Sequence, residues 1–308
     1  MTSATLVQSR AMSLVEAKDK GEQSSNPYKI GGPAIISFSG GRTSGFMLRQ
    51  ILDAHDGQLP EDVIVSFQNT GKEMPETLDF VQECAARWAV SIQWLEYRYI
   101  DGKHTFDVVN HNSASRNGEP FMELVRRRKM LPNPVTRYCT QELKIRVAKK
   151  YVLREMGWGS WTNVIGLRAD EPMRVARATA SNKDRRERFD NVAPVAEAHH
   201  TIRDITAFWA EQPFDLRLPN INGKTPLGNC DLCFLKGAAT IGGIIRERPD
   251  LAKWWADMET TKAWDGSAGH VFRSDRPSYA KMIEVACKQG DFFSRFPDHD
   301  TTSCMCHD

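Results

Sequence analysis

Six consecutive residues, Ser39-Gly40-Gly41-Arg42-Thr43-Ser44, combine two glycines, three hydroxyls and one guanidinium. Adjacent glycines let a backbone come close to an anion and take positive φ. At the start of a helix, the open N–H groups and the helix dipole favour phosphate. Ser39, Thr43 and Ser44 would add hydroxyl donors there, and Arg42 a positive charge. The pattern lacks the four spacer residues and the Gly-Lys-Ser/Thr ending of the Walker loop. Taken alone it also fits a tight turn with a good N-cap.

The cysteines offer a second chemistry. Cys230-Asp-Leu-Cys233 is a CxxC pair, and Cys304-Met-Cys306-His307 brings two thiols and an imidazole together in four residues. Thiolates in such spacings suit zinc and iron–sulfur clusters alike. Cys304 or Cys306 could alternatively attack a sulfur centre as a thiolate. The seven cysteines are odd in number, and Met1 to Ile30 lacks the apolar segment of a secretion signal, so no disulfide framework is expected. Cys84 and Cys287 fall in apolar helical patterns and read as core residues.

The elements that must position these groups alternate along the chain. Pro33 to Phe38, Asp62 to Phe67, Ser91 to Glu96 and Ser160 to Ile165 read as buried strands. Helices are expected from Thr43 to about Ala54, where Met47, Leu48, Ile51 and Leu52 share a face, and from Pro75 to about Trp88. A basic helix from Glu119 to Lys129 and another from Gln141 to about Met156 follow. Strands alternating with helices imply an α/β fold with a doubly wound, mostly parallel sheet, and ligands beyond the carboxyl ends of its strands. Both Ser39–Ser44 and Asn69–Glu76 sit there. The expected organisation is a polar extension over residues 1–30, helical around Ala11–Lys18, then a nucleotide-binding domain over 31–198. A helical, cysteine-bearing region over 199–308 packs on that domain, with helices between Leu232 and Met258 broken before Pro249.

Three further stretches stand at strand ends or helix starts: Phe67-Gln-Asn-Thr-Gly-Lys-Glu-Met-Pro-Glu-Thr-Leu-Asp-Phe80, Arg137-Tyr-Cys-Thr-Gln-Glu-Leu-Lys144 and Gly166-Leu-Arg-Ala-Asp-Glu-Pro-Met-Arg174. With the Ser-Gly-Gly loop they make four ordered motifs over roughly Ala34 to Arg174. In these the chain resembles the phosphoadenosine-phosphosulfate (PAPS) reductase family of the PP-loop ATP pyrophosphatases, whose fold is adenine nucleotide alpha-hydrolase-like. The resemblance implies that Ser39, Gly40, Gly41, Thr43 and Ser44 hold phosphate or sulfate oxygens. It implies that Asn69, Thr70, Gly71, Glu73 and Glu76 lie beside ribose and base, and that Lys144, Arg168 and Arg174 reach the phosphates or a second substrate. Arginine's planar fork suits such oxyanions. Paired with Asp170 and Glu171 instead, the two arginines would be a solvated loop.

Two chemistries stay open under this resemblance. One reduces PAPS or adenosine phosphosulfate to sulfite; the other cleaves ATP, with magnesium, to adenylylate an acceptor for sulfur transfer. ATP-cleaving members carry Asp where this chain has Thr43, and assimilatory reductases end in Glu-Cys-Gly-x-His where this chain has Thr302-Ser-Cys-Met-Cys-His-Asp308. Cys139 stands in the segment where some relatives place cluster ligands. With Cys230 and Cys233 it would supply three thiolates to a [4Fe–4S] cluster, and Cys304 or Cys306 the fourth. Zinc would take a similar set, with His307 as a further ligand.

Charge narrows the partners less. The chain has 41 Lys and Arg against 39 Asp and Glu, a formal net charge of +2, so there is no global polyanion signature. Local basic runs at Arg126-Arg-Arg-Lys129 and at Arg185, Arg186 and Arg188 remain candidate surfaces for nucleic acid. Asn182 to Asp190 reads as a loop that closes over a site. A nucleotide, a thiol or sulfur donor protein and a second copy of the chain complete the expected partners. No apolar run reaches the roughly 18 residues of a membrane span, and the expected location is the cytoplasm.

Overall fold

The computed structural model describes residues 26–184, 187–260 and 271–288, with the Cys287 side chain left aside. The expected N-terminal helix, Arg185, Arg186, Cys304, Cys306 and His307 lie outside the described residues.

Six strands form one sheet in the order β4-β3-β2-β1-β5-β6. β1 (Ala34–Ser37), β2 (Val63–Asn69), β3 (Ile92–Ile100), β5 (Trp161–Ile165) and β6 (Phe189–Val192) pair in parallel, and β4 (Lys103–Val109) runs antiparallel to β3. A central parallel strand is covered on both faces and reads as a continuous apolar run, as Ala-Ile-Ile does in β1.

The helices follow in chain order. α1 (Arg42–Ala54) and α2 (Pro75–Arg87) leave the ends of β1 and β2. Between β4 and β5 come α3 (Glu119–Arg128), a short α4 (Tyr138–Thr140), a π-helical turn (Gln141–Ile145), α5 (Arg146–Tyr151) and a second π-helical turn (Val152–Met156). α6 (Pro172–Asp184), α7 (Pro194–Glu197), α8 (Ile202–Glu211), α9 (Ala238–Glu247), α10 (Pro249–Thr260) and α11 (Tyr279–Lys288) complete the described chain.

Strand alternation divides the core between the two sheet faces. Ala34, Ile36 and Phe38 join α1, α2 and Trp209 of α8 in one cluster. Ile35 joins residues of α3, α5, α9, α10 and α11 in the other. Residues beyond 199 therefore contribute to both faces. Tyr28 and Ile30 also belong to the first cluster, so the end of the expected polar extension is packed core. Tyr28 Oη lies 2.7 Å from His200 Nδ1, which gives His200 a packing role.

Three features differ from the sequence expectation. β4 was not expected. It is an edge strand with Phe106 as its one buried residue, so its apolar signal is weak. The hairpin before it turns on Asp101-Gly102, both at positive φ, the sequence sign of a two-residue turn. The segment Asn182 to Asp190 is not a closing loop where described: it holds the end of α6 and the start of β6. There Asn182 makes two hydrogen bonds with the Asn191 backbone, donating to its carbonyl (2.9 Å) and accepting from its N–H (2.8 Å). The helix expected from Gln141 starts earlier, at Tyr138, and is interrupted by the two π turns.

The sheet order sets the place for a ligand. The chain leaves β1 through α1 to β2 on one side, while β5 pairs on the other. The connections diverge at the carboxyl ends of β1 and β5, and leave a crevice there. The wall on the α1 side depends on close packing: a Cβ on Gly45 would lie 2.7 Å from the Trp209 ring and 3.1 Å from that of Phe80. Gly45→Ala should therefore cost roughly 1–3 kcal/mol through overpacking, read as a lower urea midpoint at unchanged m-value.

Candidate nucleotide site

The loop after β1 is built for close approach. Phe38 N–H donates to Ser66 O at 2.9 Å and so carries the pairing with β2 past the end of β1. Gly40 then takes φ +79°, and a Cβ there would lie 2.6 Å from Thr77 of α2. Both conformation and space demand glycine. Gly41 is the N-cap of α1; no side chain caps that end, and no acidic residue occupies the first turn. The positive end of the helix dipole therefore faces the crevice without a local carboxylate.

The hydroxyls shape this loop. Ser44 Oγ donates to Gly41 O at 2.9 Å, accepts from Ser39 N–H at 3.2 Å and lies 2.9 Å from Ser39 Oγ. Arg42 departs from expectation: its guanidinium turns away from the crevice. Nε and a terminal N–H donate to Asp215 at 2.8 and 2.7 Å, and further N–H groups reach Thr225 Oγ1 and the carbonyls of Leu216 and Leu218. Trp209 Nε1 donates to Arg42 O at 2.8 Å. Burial explains the change of role, because a guanidinium 8% exposed must satisfy its donors inside the protein.

The β5 side closes against the same helix turn. A Cβ on Gly166 would come within 3.3 Å of Ser44 Cα. Arg168 donates to Thr43 Oγ1 at 3.2 Å and also meets Asp170 at 3.0 Å and Glu171 at 3.4 Å. Arg174 pairs with the same Glu171. Both arginines thus have the acidic partners that the sequence offered, and Arg168 also reaches Thr43 of the glycine loop. Lys144 Nζ stands 4.0 Å from Glu73 and 3.5 Å from Asn229 Oδ1. A cavity of about 220 Å³ runs from Phe38 and Ser39, past Gln68 and Lys144, down the sheet face. Ser37, Asn163 and Asn191 form its polar floor, linked by hydrogen bonds of 2.8 and 2.7 Å.

The segment after β2 is held by its own side chains. Asn69 donates to Glu96 (2.6 Å) and Ser115 O (2.8 Å) and accepts from Gly71 N–H (3.1 Å). Glu73 accepts from Thr70 N–H and Thr70 Oγ1, both at 2.9 Å. These bonds fix the shape of the loop. Gly71 sits at φ +78°. On the first turn of α2, Glu76 Oε2 and Thr77 Oγ1 are buried without a hydrogen-bond partner, and Thr77 packs against Gly40 of the glycine loop.

The CxxC turn is fastened to that same segment. Cys230 bridges Glu73, and its Sγ lies 3.4 Å from Thr70 Oγ1. Lys72 and Asp231 form a buried ion pair at 3.0 Å, and Asp231 also accepts from Leu232 N–H and Trp255 Nε1, each at 2.7 Å. Lys236 donates to the carbonyls of Gly228, Cys230 and Asp231 at 3.0, 2.8 and 2.7 Å. Cys139, Cys230 and Cys233 are all buried in one core cluster. Among the described residues, however, no three His, Cys, Asp or Glu side chains form a group that could hold a metal ion. The expected meeting of these three cysteines at one metal is therefore not formed by the described residues alone.

No family model matches the chain. The chain is 29% identical over 233 residues to a protein of Escherichia phage lambda described as "Uncharacterized nin region protein ORF290", covering 73% of this chain and 74% of that one.

Sequence reasoning missed Trp209, Asp215, Lys72, Asp231 and Glu96. Each acts on a partner distant in sequence or through a loop whose course the sequence does not give. Lys72→Met would leave the Asp231 carboxylate buried without its cation. The expected loss is about 3–5 kcal/mol, seen as a lower midpoint in chemical denaturation.

Proposed function

We propose that this chain is an adenine-nucleotide enzyme of the PAPS reductase kind, with an adenine nucleotide alpha-hydrolase-like fold extended by β4, acting in the cytoplasm. The observation that carries the reading is the glycine loop at the β1–β5 crevice. It opens onto a helix end with no side-chain cap, and Arg168 donates to Thr43 in its first turn. Lys144 lines the cavity that begins at Ser39. The partnerless Thr77 Oγ1, on the residue packed against Gly40, fits a ligand that would supply its missing hydrogen bond.

In this reading the Ser39–Ser44 backbone binds the phosphates, and Arg168 and Lys144 orient them for displacement. Displacement falls at the α-phosphorus of ATP, with pyrophosphate leaving, or at the sulfur of a sulfonucleotide, attacked by a thiol, with the nucleotide phosphate leaving. The anion competes with Asp170, Glu171 and Glu73 for these cations. The acceptor chemistry is either reduction of a sulfonucleotide or adenylylation by ATP for sulfur transfer. An iron–sulfur cluster or zinc belongs to the reading only with ligands from beyond the described residues, of which Cys304 and Cys306 are the candidates.

Titration calorimetry with ATP, adenosine phosphosulfate and PAPS tests it. At least one nucleotide should bind, and Lys144→Ala and Arg168→Ala should each weaken it by roughly 10- to 100-fold, the range of a hydrogen bond to a charged group. Sulfite among the products would identify reduction; AMP with pyrophosphate would identify ATP cleavage. Failure of all three nucleotides to bind, or binding indifferent to both substitutions, sinks the proposal.

A further inference from the structure

A second cationic surface lies away from the nucleotide cavity, where α3, α5 and the β3–β4 hairpin meet. Its members form a chain of contacts. Arg128 and Arg146, from different helices, both bond Glu142 Oε1. Arg127 stacks on the Tyr99 ring, with its carbon 3.8 Å from the centroid, and donates to Tyr99 Oη. Tyr99 packs edge-on against His104 at 5.2 Å, and Lys150 donates to His104 O. Arg154 donates to Thr105 Oγ1 at 3.0 Å and lies over Phe106. Lys103, Lys150 and Arg154 line a shallow depression beside the hairpin turn. Arg126 and Lys129 are exposed at the end of α3.

The carboxylates near this surface are Glu142, Glu123, Asp101, Asp107 and Glu155, fewer than the cations, and Asp107 is paired with Arg98 at 2.9 Å. Glu142 is buried and already takes two arginines, and Glu123 accepts from Tyr99 N–H at 3.0 Å. The excess positive field acts on His104, whose pKa lies below the ordinary value. Burial is the main cause; Lys150, Arg128 and Arg127 add to it against Glu142.

We propose that this surface binds the phosphodiester backbone of a nucleic acid. Arginine forks and lysine points arranged around a depression match a row of phosphates. The stacking of Arg127 on Tyr99 pre-orders one fork. An anionic membrane would need large apolar anchors on the helix beside the cations. The exposed positions of α5 and the turn after it, Arg146, Arg154 and Glu155, are all charged. The exposed apolar residues of the hairpin, Ile100 and Val108, stand on a strand pair and are not the Trp, Phe or Leu of such anchors. The proposal stands independently of the nucleotide reading, since neither Lys103, Arg126 nor Arg154 lines the nucleotide cavity.

The test is fluorescence anisotropy of labelled single-stranded and duplex oligonucleotides with the full chain, without ATP, across a salt series. Binding should weaken linearly on a log–log salt plot. The triple variant Lys103→Glu, Arg126→Glu, Arg154→Glu should weaken it by about tenfold or more and reduce the slope by roughly three. ATP binding by that variant should stay unchanged, which separates this surface from the nucleotide site. Hydrogen exchange on the unaltered protein gives a second readout that does not depend on the folding of the triple variant. Oligonucleotide should protect residues 98–109 and 146–156. Unchanged affinity and slope in a folded triple variant overturns the proposal. So does protection confined to other segments, or binding to phosphatidylserine vesicles with none to either oligonucleotide.

Discussion

Arg42 stands in the middle of the glycine loop at the start of α1, yet its guanidinium faces the protein interior. It ties the start of α1 to Asp215, Thr225 and the carbonyls of Leu216 and Leu218, while Trp209 holds the Arg42 carbonyl. The helix end at the crevice is thus clamped from behind by a segment far along the chain. That segment continues into the CxxC turn, which Lys72 and Asp231 lock to the loop after β2. The two loops flanking the glycines are therefore braced by one stretch, residues 209–236. A preorganised backbone cradle needs such bracing, because N–H groups that wander lose the advantage of fixed dipoles.

The charges at the crevice are balanced before any ligand arrives. Arg168 and Arg174 face Asp170 and Glu171, and Lys144 faces Glu73. A multiply charged anion would draw the cations toward itself and leave the carboxylates to water or to one another. Such exchange keeps cations from being buried alone in the free protein, which would be costly. It also makes affinity depend on the difference between two sets of ion pairs rather than on the arginines alone.

Much of the architecture was legible in the sequence because it rests on local signals. The apolar run before Ser39, the helical spacing of Met47, Leu48, Ile51 and Leu52, and Pro75 at a helix start all appear where expected. The glycine loop was legible for the same reason, since Gly40 needs both its φ and its space. The failures share a different cause. Arg42 looked like a ligand group because its partner, Asp215, lies 173 residues away. For Asn69, Thr70 and Glu73, spacing did not show that the side chains bond within their own loop. β4 was hidden because an edge strand with little burial carries little apolar pattern, although Asp101-Gly102 announced its turn.

The two π-helical turns around α5 have a consequence of another kind. A π turn closes its hydrogen bond one residue later than an α turn, so each holds an extra residue against the regular helix. Lys144, in the first, lines the cavity that begins at Ser39, while Arg146, two residues on, meets Glu142 toward the hairpin. Removal of the extra residue from Gln141–Ile145 would let this turn relax to regular winding with the helix on either side kept in register, whereas the same loss inside α5 would turn everything beyond it by about 100°. In this helix the place at which the gene loses a codon therefore matters more than the letter it loses. A deletion in the regular stretch would swing Arg154 away from Lys144, while one in the π turn would leave the two ends facing as they do.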